Sequence, residues 1–132
     1  MHTNQRILVI DDEPDIREIA KLSLQITRKW EVIMAGSGPE GIAQAAAQQP
    51  DAILLDVIMP GCDGLATLRQ LKSQAATARI PVILLTATAK LAMQADFLGA
   101  GATGIITKPF DPGTLAEQME AILAWHPVPS LR

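Results

Sequence analysis

Five short aliphatic runs constrain this chain more than anything else in it: RILVI (6–10), EVIMA (31–35), AILLD (52–56), VILLT (82–86) and GIIT (104–107). Each is too short for a helix and rich in Ile, Val and Leu, the composition of strands covered on both faces. Helical spacings separate them. Ile16, Ile19, Ala20 and Ser23 share one helical face, and Ile42, Ala45 and Ala46 another. Leu65, Leu68 and Leu71 repeat the spacing, as do Leu115, Met119, Ile122 and Leu123. Between 91 and 98 the stripe is weaker and rests on Met93 and Phe97. Strands alternating with helices of this length predict a (βα)5 fold of the α/β class: an open parallel sheet with helices on both faces.

The boundaries carry their own chemistry. Ser37-Gly38-Pro39-Glu40 has the Ser-x-x-Glu spacing of a capping box with Pro in the first turn. Asp111-Pro112 repeats the cap-then-proline logic before the last helix, while Pro60-Gly61 and Gly101 break the chain where turns are needed. A chain of 132 residues with no internal linker fits one domain, expected over 1–125, with 126–132 a tail or the start of a linker.

Composition excludes several functions. A net charge of −3 leaves no basic stripe for neutralising phosphates, so direct nucleic-acid binding is not expected. Four aromatics, Trp30, Phe97, Phe110 and Trp125, make a poor stacking platform for bases. No apolar run approaches the roughly 20 residues of a membrane span, and no signal-peptide pattern opens the chain, so a cytoplasmic location is the expectation. Cys62 is the only cysteine, which rules out an internal disulfide and a Cys-based metal cage; it reads as a tolerated residue of a glycine-rich stretch.

In an open α/β sheet, ligands collect at the carboxyl ends of the strands. Asp11 and Asp12 follow the first run, and the third ends in Asp56. The fourth ends in Thr86, followed by the small Ala87, and Lys108-Pro109 follows the fifth. Singly, each has an ordinary explanation: Asp12 could cap a helix, Asp56 could end a strand, Lys108 could neutralise an acid. Together, three acids, a hydroxyl and a lysine at one sheet edge suit a magnesium-dependent phosphoryl acceptor. Mg²⁺ prefers oxygen ligands, a carboxylate can form an acyl phosphate, and a fixed cation neutralises the transferring group.

The stretches ILVIDDEPDI, ILLDVIMPGCDG, VILLTA and ITKPF resemble the signature segments of the response regulator receiver domain, the family of the chemotaxis protein CheY, in order and spacing from about Arg6 to Ala124. The resemblance implies a flavodoxin-like fold with strand order 2-1-3-4-5. It makes Asp56 the phospho-acceptor, with Asp11, Asp12 and Asp56 holding Mg²⁺ (or Mn²⁺), Asp12 being the direct ligand in preference to Asp11. The backbone carbonyl of Ile58 becomes a further metal ligand, Thr86 the switch hydroxyl and Lys108 the phosphoryl-binding cation. Ala87, Pro109 and Ile105 support the site, and Lys108–Pro109 is a candidate cis peptide. The implied partners are a sensor histidine kinase or histidine phosphotransfer protein, meeting Asp15, Ile16, Ile19 and Phe110, and a downstream effector protein. The implied role is that of a signalling receiver rather than a metabolic enzyme. The alternative is a phosphorylation-independent, degenerate receiver that acts as an interaction scaffold.

Two departures from the family pattern matter. Ile105 stands where an aromatic usually swings inward with the switch hydroxyl, and a buried or half-buried strand residue is expected there instead. The last helix has Glu117 and Glu120 but no Lys or Arg, so charge-paired dimerisation across it is not expected; the chain reads as a monomer or weak dimer. Ile58 and Thr88 would flank the phosphoryl group, and neither orients an attacking water. Slow self-dephosphorylation follows: the phospho-form should persist for minutes or longer in Mg²⁺ buffer, and decay within seconds in a time course of intact mass would contradict it.

Overall fold

All five aliphatic runs are strands, with the bounds read from the sequence: β1 (Arg6–Ile10), β2 (Glu31–Ala35), β3 (Ala52–Asp56), β4 (Val82–Thr86) and β5 (Gly104–Thr107). The structure is a computed structural model, and it describes residues 5–59, 62–87 and 99–125. The strands form one parallel sheet in the order β2-β1-β3-β4-β5. Register runs from Arg6 opposite Glu31 and Ile7 opposite Ala52 to Ile53 opposite Val82 and Ile83 opposite Gly104. The helices among the described residues are α1 (Pro14–Arg28), α2 (Gly38–Gln48), α3 (Gly64–Ser73) and α4 (Leu115–Leu123). The helix expected around 91–98, the Pro60-Gly61 turn and the tail from His126 lie outside the described residues.

Both sheet faces are buried, which is why the strands lack polar alternation. Leu8, Ile10, Ile53, Leu55, Val82 and Leu84 join Leu68 and Leu71 of α3 and Ala45 of α2 in one core. Ile7, Val9, Leu54, Ile83 and Leu85 join Ala20 and Leu24 of α1 and Leu115 and Met119 of α4 in the other. Trp30 meets Trp125 edge-on, with centroids 5.5 Å apart, and ties the ends of α1 and α4 together. Among the described residues no helix is long and apolar enough to cross a membrane.

The sequence pattern misplaced some side chains. Ala20, Ser23 and Leu24 are the buried face of α1, whereas Ile19 is 41% exposed and Leu22 and Ile26 also face outward. Ala46 of α2 is exposed; Gly38, Gly41 and Ala45 face inward. Ser37 caps α2 as expected, accepting the Glu40 N–H at 3.2 Å, but Glu40 reaches back to the Gly36 N–H rather than closing the box on Ser37. Asp111 caps a turn, not a helix: its carboxylate accepts the Gly113 N–H, and α4 starts later, at Leu115.

α1 and α4 are also locked by charge. The Arg28 guanidinium donates Nε to Glu120 Oε2 at 2.9 Å and Nη2 to Oε1 at 2.8 Å, and Glu120 is only 5% exposed. Removing one partner leaves the other charge stranded, whereas replacing both with apolar groups need not. Arg28→Ala should therefore cost about 3 kcal/mol in urea unfolding, while Arg28→Met with Glu120→Leu should cost less than about 1 kcal/mol.

Candidate functional site

The parallel register delivers the site residues to one edge of the sheet. β1 ends at Ile10, but the Asp11 N–H still donates to the Ala35 carbonyl at 3.0 Å, so Asp11 continues the strand line. Its side chain then turns the chain into α1: Oδ1 accepts the Glu13 N–H at 2.9 Å. Glu13 is the N-cap residue of α1 and makes no side-chain cap, so the capping role open to Asp12 is not what organises this helix start. Asp56 closes β3 opposite Leu85, and the next residue, Val57, donates to the Leu85 carbonyl at 3.3 Å. Thr86 closes β4, and its carbonyl accepts the Lys108 N–H at 2.7 Å. The Lys108–Pro109 peptide is cis.

Lys108 gathers the acids. Its Nζ lies 3.0 Å from Asp11 Oδ2, 3.1 Å from Glu13 Oε1 and 3.3 Å from Asp56 Oδ2. Asp11, Asp56 and Thr86 are buried, Asp12 is half-buried and Glu13 is exposed. One oxygen from each of Asp11, Asp12, Glu13 and Asp56 lies within 4.8 Å of the others. Glu13 is the acid that sequence reasoning missed. The Asp-Asp-Glu run held the signal, but a third consecutive acid at a helix start reads as an ordinary first-turn charge.

The electrostatics explain why this cluster calls for a cation. Two carboxylates at that separation repel by at least about 3 kcal/mol at an effective dielectric constant of about 20. Four carboxylates repel in every pairing, and one ammonium touching three of them cannot offset all of it. Burial alone would push the Lys108 ammonium down, yet contacts with Asp11 and Glu13 and the charges of Asp11 and Asp56 hold it above the usual lysine range. Asp11 Oδ2 is fully buried and meets Lys108 only as a charge, with no donor aligned to hydrogen-bond it. An all-oxygen donor set with one such unsatisfied buried oxygen fits Mg²⁺ or Mn²⁺.

The other expected residues fall as follows. The Ile58 backbone opens a short antiparallel ladder, Ile58–Met59 against Cys62–Asp63, directly beyond Asp56 and Val57. Gly64 follows that ladder: a β-carbon there would lie 2.6 Å from both the Cα and the carbonyl oxygen of Val57, so α3 can start this close to the end of β3 only with glycine. Ala87 and Pro109 are exposed at the rim. Ile105 is half-buried opposite Leu84 and packs against the core on the α2–α3 side. Thr88 lies outside the described residues. Phe110, expected as a partner contact, is only 9% exposed and belongs to the core with α1 and α4.

Comparison with known proteins bears on the family and the fold. The sequence model of the response regulator receiver domain matches residues 7–120. The chain is 37% identical over 120 residues to protein PilH of Pseudomonas aeruginosa, covering 90% of this chain and 98% of that one. It is 41% identical over 119 residues to the response regulator PleD of Caulobacter vibrioides, where the match covers 26% of PleD. The structure of the chemotaxis response regulator CheY4 of Vibrio cholerae superposes with a TM-score of 0.83 at 29% identity, covering 90% of this chain and 98% of CheY4.

Two tests follow from the geometry. Lys108→Met strands Asp11 and Asp56 without their cation and should cost about 3 kcal/mol in metal-free urea unfolding. Because the folded state raises Lys108 above its ordinary 10.5, its contribution is complete below that pH and is lost only as pH climbs through the raised value. The difference between wild type and Lys108→Met should therefore not change through titration of Lys108 itself between about pH 7 and about pH 9.

Proposed function

The chain belongs to the response regulator receiver domain family, and on that premise we propose that it is a phosphoryl-accepting switch with Asp56 as the acceptor. The observation that carries this reading is the convergence of Lys108 on Asp11, Glu13 and Asp56, at the sheet edge where β4 ends in the buried Thr86. It is a signalling role, not that of a metabolic enzyme. The donor is a phosphohistidine on a sensor kinase or phosphotransfer protein. An Asp56 carboxylate oxygen attacks phosphorus, the new P–O bond forms, and the P–N bond to the donor imidazole breaks with its electron pair leaving on nitrogen.

The roles of the chain's own residues follow from that chemistry. Asp11, Asp12, Asp56 and the Ile58 carbonyl would hold Mg²⁺ or Mn²⁺, which supplies charge neutralisation when bound. Lys108 offers its ammonium to the oxygens of the transferring group, and its contact with Asp56 is the one that must exchange for them. Thr86 donates its hydroxyl to a phosphoryl oxygen once the acceptor is modified. Its carbonyl already holds the Lys108 backbone, so a shift at Thr86 is felt at the start of the β5–α4 connection. That coupling is how a local bond changes the surface an effector meets. Ile105, half-buried in place of an aromatic, makes the swing of a side chain a small part of the readout.

The donor meets α1. Ile19, Leu22 and Ile26 are exposed there at helical spacing, and with Ser23, Thr27, Pro112 and Gly113 they line an apolar groove along α1. Asp15 and Ile16 lie at the end of α1 nearest that pocket. A cytoplasmic location goes with this reading.

The test is intact mass after incubation with phosphoramidate, with and without Mg²⁺. One phosphoryl group should add to the natural chain only with Mg²⁺ and should not add to Asp56→Asn. No addition, with Mg²⁺ present, would overturn Asp56 as an acceptor of small-molecule phosphoryl groups and favour the interaction scaffold.

A further inference from the structure

We infer that Arg17 is a positioning residue for the acid pocket, setting its divalent-cation affinity by holding the Asp11 backbone against the loop after β2. This rests on the proposed reading of the pocket as a cation site. Arg17 lies one turn into α1, and its side chain runs back toward the helix start, the direction helical side chains take. Nη1 donates to the Asp11 carbonyl at 2.7 Å. That carbonyl sits where β1 has left the sheet, and a buried carbonyl without a donor is costly. Asp11 is thereby held at four points: its N–H on Ala35, its carbonyl on Arg17, Oδ1 on the Glu13 N–H and Oδ2 beside Lys108.

The guanidinium also lies across Gly36. A β-carbon at Gly36 would stand 3.2 Å from Arg17 Nη1, a tight contact from which the guanidinium would have to shift by a few tenths of an ångström, and 3.8 Å from Cζ, an ordinary one. The Gly36 N–H in turn donates to Glu40 Oε1 at 3.0 Å, which anchors this loop to the first turn of α2. Arg17 therefore links the Asp11 turn to the β2–α2 loop. Contacts that hold an acid of a metal pocket in place set how well the pocket binds the ion.

Charge and position make opposite predictions. As a bare positive charge beside the pocket, Arg17 would repel Mg²⁺, and its removal would tighten binding. As a positioning group, its loss frees Asp11 and weakens binding. The experiment is calorimetric titration of the 132-residue chain with Mg²⁺ at fixed ionic strength, for wild type, Arg17→Ala, Arg17→Lys and Gly36→Ala, alongside metal-free urea unfolding. Arg17→Ala should raise the Kd about 10-fold, with Arg17→Lys in between because it keeps charge but loses the planar fork. Gly36→Ala keeps Arg17 but crowds it, and should shift Kd in the same direction by about 3-fold. If Arg17→Ala does not fold, Gly36→Ala decides. An unchanged or tighter Kd in the variants overturns the inference alone, even where their unfolding midpoint falls, because a purely structural role would do just that. Wild type that does not bind Mg²⁺ overturns the inference and the cation-site reading together.

Discussion

The contact between one ammonium and three carboxylates is the constraint on which the site depends. Lys108 reaches Asp11, Glu13 and Asp56 from a residue that follows β5, while Asp11 and Glu13 follow β1 and Asp56 ends β3. No local turn could bring these groups together. They meet because five parallel strands all end on the same side, and because the register places Asp56 beside Leu85 and Thr86 beside Thr107. The apolar burial of both sheet faces holds that register. Core energy, in effect, keeps like charges close.

Charge crowding of this kind is tolerable at a functional site when the structure around it over-determines the positions. Here the determinants are backbone contacts: Asp11 to Ala35, Val57 to Leu85, Lys108 to Thr86. The glycine at 64 lets α3 approach Val57, so the chain beyond β3 is confined as well. What the frame leaves adjustable is the side-chain chemistry. On the proposed reading, Lys108 exchanges a carboxylate for a phosphoryl oxygen.

Much of this was legible in the sequence because the informative residues were of two strong kinds. Aliphatic runs bounded the five strands of the parallel sheet correctly, since strands covered on both faces carry apolar residues throughout. The acids, Thr86 and Lys108 stood out because strand ends are where an α/β sheet collects ligands. Weaker signals failed for physical reasons. Ile19 and Ala46 followed helical spacing yet face outward, because a narrow stripe cannot fix the rotation of a helix against its neighbours. Phe110 read as a surface aromatic after a loop and is core, since α1 and α4 close over it. Asp111 looked like a helix cap and closes a turn. Glu13 and Arg17 were invisible as site residues, because one is an ordinary first-turn acid and the other acts on a backbone carbonyl.

The account's central claim is that the crowded acids are a cation site whose repulsion the fold tolerates until the ion binds. The melting temperature of the chain, natural and Asp12→Asn, with and without millimolar Mg²⁺, tests it most directly. The account predicts that Mg²⁺ raises the natural chain's melting temperature by roughly 5 to 10 °C at saturation. It also predicts that Asp12→Asn melts higher than the natural chain without metal and gains much less from Mg²⁺. A melting temperature that ignores Mg²⁺, with Asp12→Asn melting lower than the natural chain, would contradict it.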